Sequence, residues 1–301
     1  MNELSVIIPT KNREQDLIRC LISIAYQSVK PHEIIIVDAS DKVNSYEKYT
    51  KGIKLIHIKA HKAGSSSQRN QGLQVVSPSS KYVAFLDDDV ILEKDFFENI
   101  VNTFYQSDEI VGVGGVITNY DIPHFHKLIL KLFLMRGKKP GSILPSGYST
   151  VPTLREIRNP IESSFLPGGL CSYRLSAIKD MQFDHKYERF TGHAYCEDLD
   201  FSYRASQKGK LIITPDAKAI HSESPTSRPD DYSYGIAQTV NRARLVKKMW
   251  GNSPFHWACF SWAMLGQIIL NLAMITQGRS IKRAIGNIAG LKFILKHFKD
   301  I

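Results

Sequence analysis

Four short runs of branched apolar residues mark the first part of the chain as strands. They are LSVIIP at 4–9, EIIIVD at 33–38, KLIHI at 54–58 and YVAFLD at 82–87. Apolar residues recur at helical spacing over 17–26, and a second helix is predicted over 68–76. Strands that are apolar throughout and alternate with helices are buried on both faces. The pattern therefore predicts an α/β fold with a mainly parallel sheet flanked by helices.

The hydrophobic pattern continues with mixed elements as far as residue 224. It predicts a helix over 95–105, a strand over 110–118, a hairpin or loop over 140–153, a turn with a strand and a helix start within 158–178, a helix over 197–208 and a strand pair over 210–224. Beyond this point the composition changes. We expect an α/β domain over 1–222 and a basic, apolar helical region over 223–301.

The helical region contains a long stretch without charge. No Asp, Glu, Lys or Arg occurs over 249–278, and its apolar centre at 255–275 has about the length that a membrane span requires. On a helical wheel, His256, Gln267 and Asn271 fall within one narrow sector and leave a wide apolar face. The stretch could span a membrane, lie in its interface, form a re-entrant hairpin, pack against a second copy of the chain in a homo-oligomer, or be a buried soluble helix.

The net charge of the chain limits the classes of binding partner that we expect. The formal net charge is +10, which favours a polyanion such as nucleic acid, anionic lipid or a phosphorylated small molecule. Basic residues cluster over 126–139, over 241–248 and in the last twenty residues, and they alternate with apolar residues. This interleaving favours the cytoplasmic membrane face, and we expect no nucleic-acid partner. Solvated basic helix faces are the alternative interpretation.

The cysteines and the N-terminal residues indicate the cellular compartment that we expect for the protein. Four cysteines without a CxxC pair suggest neither a zinc site nor a disulfide framework, which suits a reducing cytosol. The first residues, MNELSVIIPT, lack the pattern of a cleaved secretory signal. The expected location is cytoplasmic, peripheral or monotopic at the inner face of the cell membrane.

Polar residues follow three of the predicted strands. The strand ends read Pro9-Thr10-Lys11-Asn12-Arg13, Asp38-Ala39-Ser40 and Asp87-Asp88-Asp89. In parallel sheets, ligands bind at the carboxyl ends of strands. Three consecutive carboxylates disfavour ionisation of one another unless a cation is present. A solvated turn with a capping aspartate is the alternative for this triplet.

An ordered set of motifs resembles a known family. VIIPTKNRE, EIIIVDAS, SSSQRNQGL, FLDDDV, GGLCSYR and YCEDLDFSYR, over roughly residues 4–222, are similar to the family 2 glycosyltransferases of the GT-A (Rossmann-like) fold. The resemblance implies metal-dependent, inverting transfer of a sugar from a nucleoside-diphosphate sugar, with UDP favoured, to a hydroxyl of a glycan or lipid-linked acceptor. Surface polysaccharide synthesis is the implied setting, and Mn²⁺ or Mg²⁺ is the implied cofactor.

The resemblance also implies roles for individual residues. The implied metal ligands are Asp87, Asp89 and His221. The implied donor-binding residues are Pro9, Thr10, Asn12, Arg13, Asp38, Arg69, Asp87, Asp88, Gly168 and Gly169. The implied catalytic base is Asp198, with Glu197 as its positioning partner and Asp200 as the nearby competitor. Ala39 stands where the family typically has a second aspartate.

Two alternatives stay open at this point. Acidic residues are also favourable at a helix N-terminus, so Asp198 could serve as a helix cap. The whole chain could be a catalytically silent GT-A scaffold or partner subunit that binds a nucleotide sugar. A proton acceptor such as Asp198 argues against pure binding, because binding alone has no use for one.

Overall fold

A single mixed sheet organises the N-terminal part of the chain. The computed structural model describes residues 3–42, 44–222, 226, 229–277 and 280–301, and the strands in these ranges are β1 (Leu4–Thr10), β2 (Glu33–Asp38), β3 (Lys54–Lys59), β4 (Tyr82–Leu86), β5 (Val90–Leu92), β6 (Ile110–Ile117), β7 (Ile161–Ser163), β8 (Leu170–Arg174) and β9 (Lys210–His221). Their order is β3-β2-β1-β4-β8-β6-β9-β5, and β7 pairs with β9. The predicted α/β class is confirmed.

Parallel pairing is confined to part of this sheet. Strand β1 runs parallel to β2 and β4, β2 to β3, and β6 to β9. Strand β8 is antiparallel to β4 and β6, and β9 is antiparallel to β5 and β7. The parallel half is the one whose strands alternate with helices in sequence, as the pattern indicated.

The described helices include those predicted over 17–26, 68–76, 95–105 and 197–208, and also one over 124–132 that we did not predict from the sequence. They are α1 (Glu14–Ala25), α2 (Ser65–Leu73), α3 (Phe96–Tyr105), α4 (His124–Leu132), α5 (Leu175–Ile178), α6 (Glu197–Ser206), α7 (Asp231–Trp250), α8 (Pro254–Ala273) and α9 (Lys282–Lys296). Helix α1 buries Leu17, Cys20, Leu21 and Ile24, which have the i, i+3, i+4, i+7 spacing of one helix face. Complete burial of one such Leu or Ile side chain contributes about 1.5–3 kcal/mol.

Both faces of the sheet are covered. Along β1, Val6 and Ile8 belong to one apolar cluster, and Ile7 between them belongs to another. Successive side chains of a strand point to opposite faces, so the two clusters are the two sides of the sheet. This arrangement explains why the strands are apolar without alternation.

The predicted strand pair over 210–224 is wrong, because one twelve-residue strand, β9, covers 210–221. Residues 223 and 224 of the prediction lie outside the described residues. Pro215 lies where the ladder with β6 shifts register, between the pairs Gly114–Ile213 and Val116–Lys218. Proline cannot donate a ladder hydrogen bond, and a local irregularity accommodates it without ending the strand.

The chain forms two compact units that alternate along the sequence. The first comprises residues 1–121, 152–184 and 198–227, and the second comprises 122–151, 185–197 and 228–301. The sequence predicts one boundary after residue 222, whereas the second unit also takes up two earlier stretches. All the described strands lie in the first unit.

The second unit is helical. Helices α7 and α9 approach so closely that a Cβ atom at Gly286 would lie 2.2 Å from the Tyr232 carbonyl oxygen. Its apolar cluster includes Val240, Phe260 and Met264. Helix α8 confirms the helix predicted for the uncharged stretch. Over the described residues, the helices include none with the length and apolar character needed to cross a membrane.

Candidate functional site

The ends of β1 and β4 hold the first part of the site. The two strands are parallel neighbours, with Ile7 opposite Phe85, so the residues that follow them lie close together. Thr10 Oγ1 donates to Asp88 Oδ2 at 2.7 Å. Arg13 Nη1 donates to Asp88 Oδ1 at 3.1 Å and to Asp89 Oδ2 at 3.4 Å. One guanidinium therefore serves two carboxylates of the triplet.

Burial dominates the electrostatics of Asp88. Its side chain is almost inaccessible, and this desolvation raises the pKa of Asp88 to about 7. The Arg13 charge and the Thr10 hydroxyl oppose that rise, and the Asp89 charge adds to it. Burial lowers the pKa of Arg13, but the neighbouring aspartates outweigh burial and raise it. The triplet therefore carries less negative charge than three exposed aspartates would.

The other two aspartates of the triplet point to different partners. The antiparallel pair β5–β9 places Val90 opposite His221, and His221 Nε2 lies 3.0 Å from Asp89 Oδ1. Asp87 Oδ1 accepts from Arg69 Nη2 at 2.8 Å. The Arg69 guanidinium also lies over the Phe183 ring, 5.4 Å from its centroid. Arg69 is thus held in place by an aromatic face and a carboxylate together.

The protein supplies only some of the ligands that a divalent ion needs. The described residues include no group of three or more His, Cys, Asp or Glu side chains that could hold a metal ion by themselves. Asp89 and His221 do form an adjacent oxygen and nitrogen donor pair. Ions such as Mg²⁺ are often held by only one or two carboxylates, with phosphate and water oxygens in the remaining positions. The pair suits such an ion, and Asp87 as a ligand stays a prediction.

The adjacent glycines Gly168 and Gly169 connect the triplet to the predicted base. The Gly168 N–H donates to Asp198 Oδ2 at 3.1 Å, and the Asp87 N–H donates to the Gly169 carbonyl at 3.2 Å. A Cβ atom at Gly168 would lie 2.7 Å from the Asp198 Cβ, and one at Gly169 would lie 2.2 Å from Asp87 Oδ2. Only residues without a side chain allow both carboxylates to come this close to the loop.

Asp198 is buried, and its carboxylate accepts hydrogen bonds from two backbone N–H groups. Burial raises its pKa, while the N–H groups of Leu199 and Gly168 and the Arg69 charge oppose the rise. The Leu199 N–H donates to Asp198 Oδ1 at 2.8 Å, so the residue also satisfies part of the α6 N-terminus, as the capping alternative expects. Both roles are compatible with this geometry.

The neighbours of Asp198 have other surroundings. Glu197 begins α6 and is 7% exposed. The competitor Asp200 is 1% exposed and pairs with Arg204, whose Nε donates to Asp200 Oδ2 at 3.0 Å. Because Asp200 already neutralises a cation on its own helix, it is the weaker candidate for a base. Cys196, just before this pair, adopts φ 71°, a conformation uncommon outside glycine.

Asp38 is fully buried, and both of its oxygens have partners. Oδ1 accepts from the Ser40 N–H at 2.7 Å, and Oδ2 lies 3.1 Å from His57 Nε2. Ser40 Oγ in turn accepts from the N–H of Asn12 at 2.7 Å. Asp38 therefore fixes the two loops that follow β1 and β2. Its predicted contact with a nucleotide base stays a prediction.

Sequence reasoning missed two residues of this region. His57 gives no signal, because a single histidine within an apolar strand is not distinctive. Gln68 Nε2 donates to the carbonyls of Thr10 at 2.9 Å and Val37 at 2.6 Å, and so ties the ends of β1 and β2 together. Gln68 lies next to Arg69 in the quoted motif SSSQRNQGL, which is the signal that could have found it. Pro9 is half-buried within β1, opposite Val37.

Part of the chain is similar in sequence to curated glycosyltransferases. The chain is 32% identical over 125 residues to the poly(ribitol-phosphate) beta-N-acetylglucosaminyltransferase TarP of Staphylococcus aureus, a match that covers 38% of each protein. The matches to curated relatives span between 16% and 40% of those proteins' lengths, well under two thirds.

Two solved structures share the fold. S. aureus TarS residues 1–349 in complex with UDP-GlcNAc gives a TM-score of 0.55 at 16% identity, over 90% of this chain and 72% of that one. The mannosyltransferase PcManGT from Pyrobaculum calidifontis, in complex with GDP-Man and Mn²⁺, gives 0.55 at 15% identity, over 97% and 80%. At these identities the likeness concerns the GT-A fold alone.

The family follows from the sequence match. The model described as Glycosyl transferase family 2 matches residues 5–181, which is more than half of the chain and includes most of β1, the aspartate triplet and the Gly168–Gly169 loop. The chain belongs to glycosyl transferase family 2.

Proposed function

We propose that this chain is an enzyme that transfers a sugar, with inversion, from a nucleoside-diphosphate sugar to a hydroxyl of a glycan or lipid-linked acceptor. One observation carries the proposal. The adjacent residues Gly168 and Gly169 touch Asp198 on one side and Asp87 on the other. A base for the acceptor and a charged cluster for the donor thus lie on the two sides of one dipeptide.

The donor side supplies cations for a diphosphate. Arg13 and Arg69 are both anchored by aspartates of the triplet, so their guanidinium groups are positioned before a ligand arrives. A planar guanidinium suits phosphate oxygens. UDP as the favoured nucleotide is supported by TarS, which binds UDP-GlcNAc, while PcManGT binds GDP-Man. When an ion is bound, held by Asp89 and His221, it would supply positive charge for the diphosphate that leaves.

The acceptor side needs one base. In an inverting displacement the acceptor oxygen forms a bond to the anomeric carbon while the bond between that carbon and the diphosphate oxygen breaks. The departing diphosphate oxygen keeps the electron pair of the broken bond. Asp198 takes the proton from the acceptor hydroxyl during this step. Its raised pKa makes it a stronger base than an exposed aspartate. The name of TarP, which refers to a poly(ribitol-phosphate) acceptor, supports a surface polymer as the setting.

A donor panel tests the proposal. The purified chain is heated with UDP-, dTDP- and GDP-sugars, each with and without Mn²⁺ or Mg²⁺. A hundredfold excess of ligand over its dissociation constant should raise the free energy of unfolding by about 2.7 kcal/mol, so the matching donor should raise Tm by several degrees. We expect the metal to enlarge the shift for that donor only.

Two variants sharpen this experiment. Asp89→Asn should lose the metal-dependent part of the shift, whereas Asp95→Asn, at an exposed acidic position before α3, should keep it. Donor binding without transfer to any hydroxyl would favour the silent scaffold. A chain that no nucleotide sugar stabilises, with or without metal, would contradict the proposal.

A further inference from the structure

Helix α8 buries polar side chains and exposes apolar ones, which is the reverse of the usual distribution on a solvent-exposed amphipathic helix. Its polar residues Gln267 and Asn271 are buried, with Gln267 Nε2 donating to Asn271 Oδ1 at 3.2 Å and Asn271 Nδ2 donating to Asn287 Oδ1 at 2.6 Å. Its outer side carries large apolar side chains. Trp262, Leu265 and Ile269 are 44%, 47% and 44% exposed, and their spacing places them on one helix face. A surface helix normally shows the opposite pattern.

Helix α4 extends this apolar surface. Phe125, Leu128 and Leu132 are 70%, 63% and 64% exposed, and they too recur at helical spacing. No residue of α4 is buried. Trp262 Nε1 donates to the Leu132 carbonyl at 2.8 Å, so the two apolar stripes meet. We call the surface formed by Phe125, Leu128, Leu132, Trp262, Leu265 and Ile269 the α4–α8 face.

The unit that carries this face is strongly basic. Residues 122–151 contain five Lys or Arg and no Asp or Glu, and residues 232–299 contain ten Lys or Arg and no Asp or Glu, of which Arg136, Arg242 and Arg244 are buried. Lys131, on α4, and Lys138, soon after it, are exposed. Such a surface repels a second copy of itself, because both would be strongly basic. It attracts an anionic partner, and the exposed leucines require that this partner also accept apolar side chains.

We propose that the α4–α8 face docks on a lipid bilayer that contains anionic headgroups. The apolar side chains enter the interface between headgroups and acyl chains, and the lysines contact lipid phosphates. Tryptophan is enriched at this depth in membranes, which suits Trp262 at the junction of the two helices. A nucleic acid would bind the lysines through its phosphates but would leave the exposed leucines without an apolar partner. The proposal stands independently of the transfer reaction.

Vesicle flotation of the full chain tests the apolar part. Wild type should float with vesicles of phosphatidylcholine and phosphatidylglycerol, and much less with phosphatidylcholine alone. The double variant Leu128→Gln, Leu132→Gln should bind the anionic vesicles about tenfold more weakly or worse, because it removes two side chains that would be buried in the interface. The matched control is Ile22→Gln with Val75→Gln, two exposed apolar positions of the first unit, and it should bind like wild type.

Charge reversal tests the electrostatic part. Lys131→Glu with Lys138→Glu should weaken binding to anionic vesicles by about fivefold or more for each position, since one lysine near such a surface contributes about 1 kcal/mol. Added salt should weaken the wild-type interaction in the same direction. The matched control, Lys30→Glu with Lys48→Glu in the first unit, should show neither effect beyond general charge loss.

Separate measurements report on the folding of each variant and on whether something other than a bilayer binds the α4–α8 face. Circular dichroism and the donor-induced Tm shift should be unchanged in every variant, so a failed donor assay and a failed docking assay are distinguishable. Equal flotation of wild type and the leucine double variant would overturn the proposal. Failure of wild type to bind either kind of vesicle would also overturn it. The same holds if, in addition, wild type sediments as a dimer and the leucine double variant sediments as a monomer, because the face would then bind a second copy of the chain.

Discussion

The two compact units of this chain treat charge in opposite ways. The first unit carries 21 Lys or Arg against 24 Asp or Glu, whereas the second carries 18 against 5. In the first unit, acidic residues are buried around one loop cluster and matched to arginines and backbone N–H groups. In the second, the excess charge is basic, and the polar groups shared by α8 and α9 are neutral amides. Similar helices and loops thus serve different physical purposes.

The difference shows what each kind of buried polar group costs. A buried carboxylate loses hydration, which raises the pKa of Asp88 and Asp198. A buried amide such as Asn287 requires only that its hydrogen bonds be satisfied. It accepts from Asn271 and donates to Gly235, Gln238 and Thr239. Groups that change protonation are a liability for stability, and they are useful where chemistry needs them.

The largest expected effect separates catalysis from donor binding in the first unit. Asp198→Asn removes the proton acceptor but keeps the size of the side chain, so kcat should fall by about 10²–10⁴ while donor affinity is retained. Steady-state transfer assays and donor titrations measure the two quantities. Asp200→Asn is the control, and it should affect stability more than kcat because its partner is Arg204. Equal loss of kcat and donor affinity in Asp198→Asn would contradict the assigned role.

The next effect belongs to the second unit. Asn287→Leu leaves the buried Asn271 Nδ2 group without its acceptor, so the free energy of unfolding should fall by about 1–3 kcal/mol. All three tryptophans of the chain lie in this unit, so urea unfolding followed by tryptophan fluorescence reports on it directly. Ser261→Ala, at an exposed position of α8, should change stability by less than about 0.5 kcal/mol. A large loss of donor affinity in Asn287→Leu would show that the two units are not separable.

A smaller effect tests the loop that joins donor and base. Gly169→Ala would place a methyl group 2.2 Å from the present position of Asp87 Oδ2, so Asp87 or the loop must move. A displacement of about 1 Å can cost a hundredfold in rate, and we expect kcat/KM to fall by about tenfold to a hundredfold. Gly192→Ala is the matched control, because φ +69° strains an alanine there while no atom lies within 4 Å. Similar kinetic losses in both variants would point to general instability.

The sequence was sufficient for the parts of the molecule that depend on local pattern. Strands β1, β2 and β4 and the polar residues at their ends follow from apolar runs and from the rule that parallel strands end at one edge. The contact between Thr10 and Asp88 is a direct consequence of that rule. The contact between Asp38 and His57 is different, because it depends on the register of β2 and β3, which no local pattern reveals.

The division into units shows a signal that was present but was used for another purpose. Residues 122–151 share the basic composition of the C-terminal helices and contain no acidic residue. We interpreted this composition as a membrane signal, although it also marks the stretch as part of the second unit. The outward orientation of the apolar side of α8 could not be predicted. A helical wheel gives the angle between two faces but not which face a neighbouring helix covers.

The smallest expected effect concerns pH. Comparing wild type with Asp198→Asn separates the contribution of Asp198 from that of Asp88, whose pKa burial raises to about 7. Burial raises the pKa of Asp198 above the ordinary value of 3.8, and the base acts only when deprotonated, so kcat should rise with pH through the raised pKa. Stability should move in the other direction. A folded-state pKa above the unfolded one stabilises the protein fully below 3.8, and this contribution is lost as pH rises through the folded pKa. Parallel pH series of kcat and of urea unfolding, for wild type and Asp198→Asn, measure both trends. The variant should lose its part of the stability slope, and an unchanged slope would mean that Asp198 is ionised in the folded protein at every pH tested.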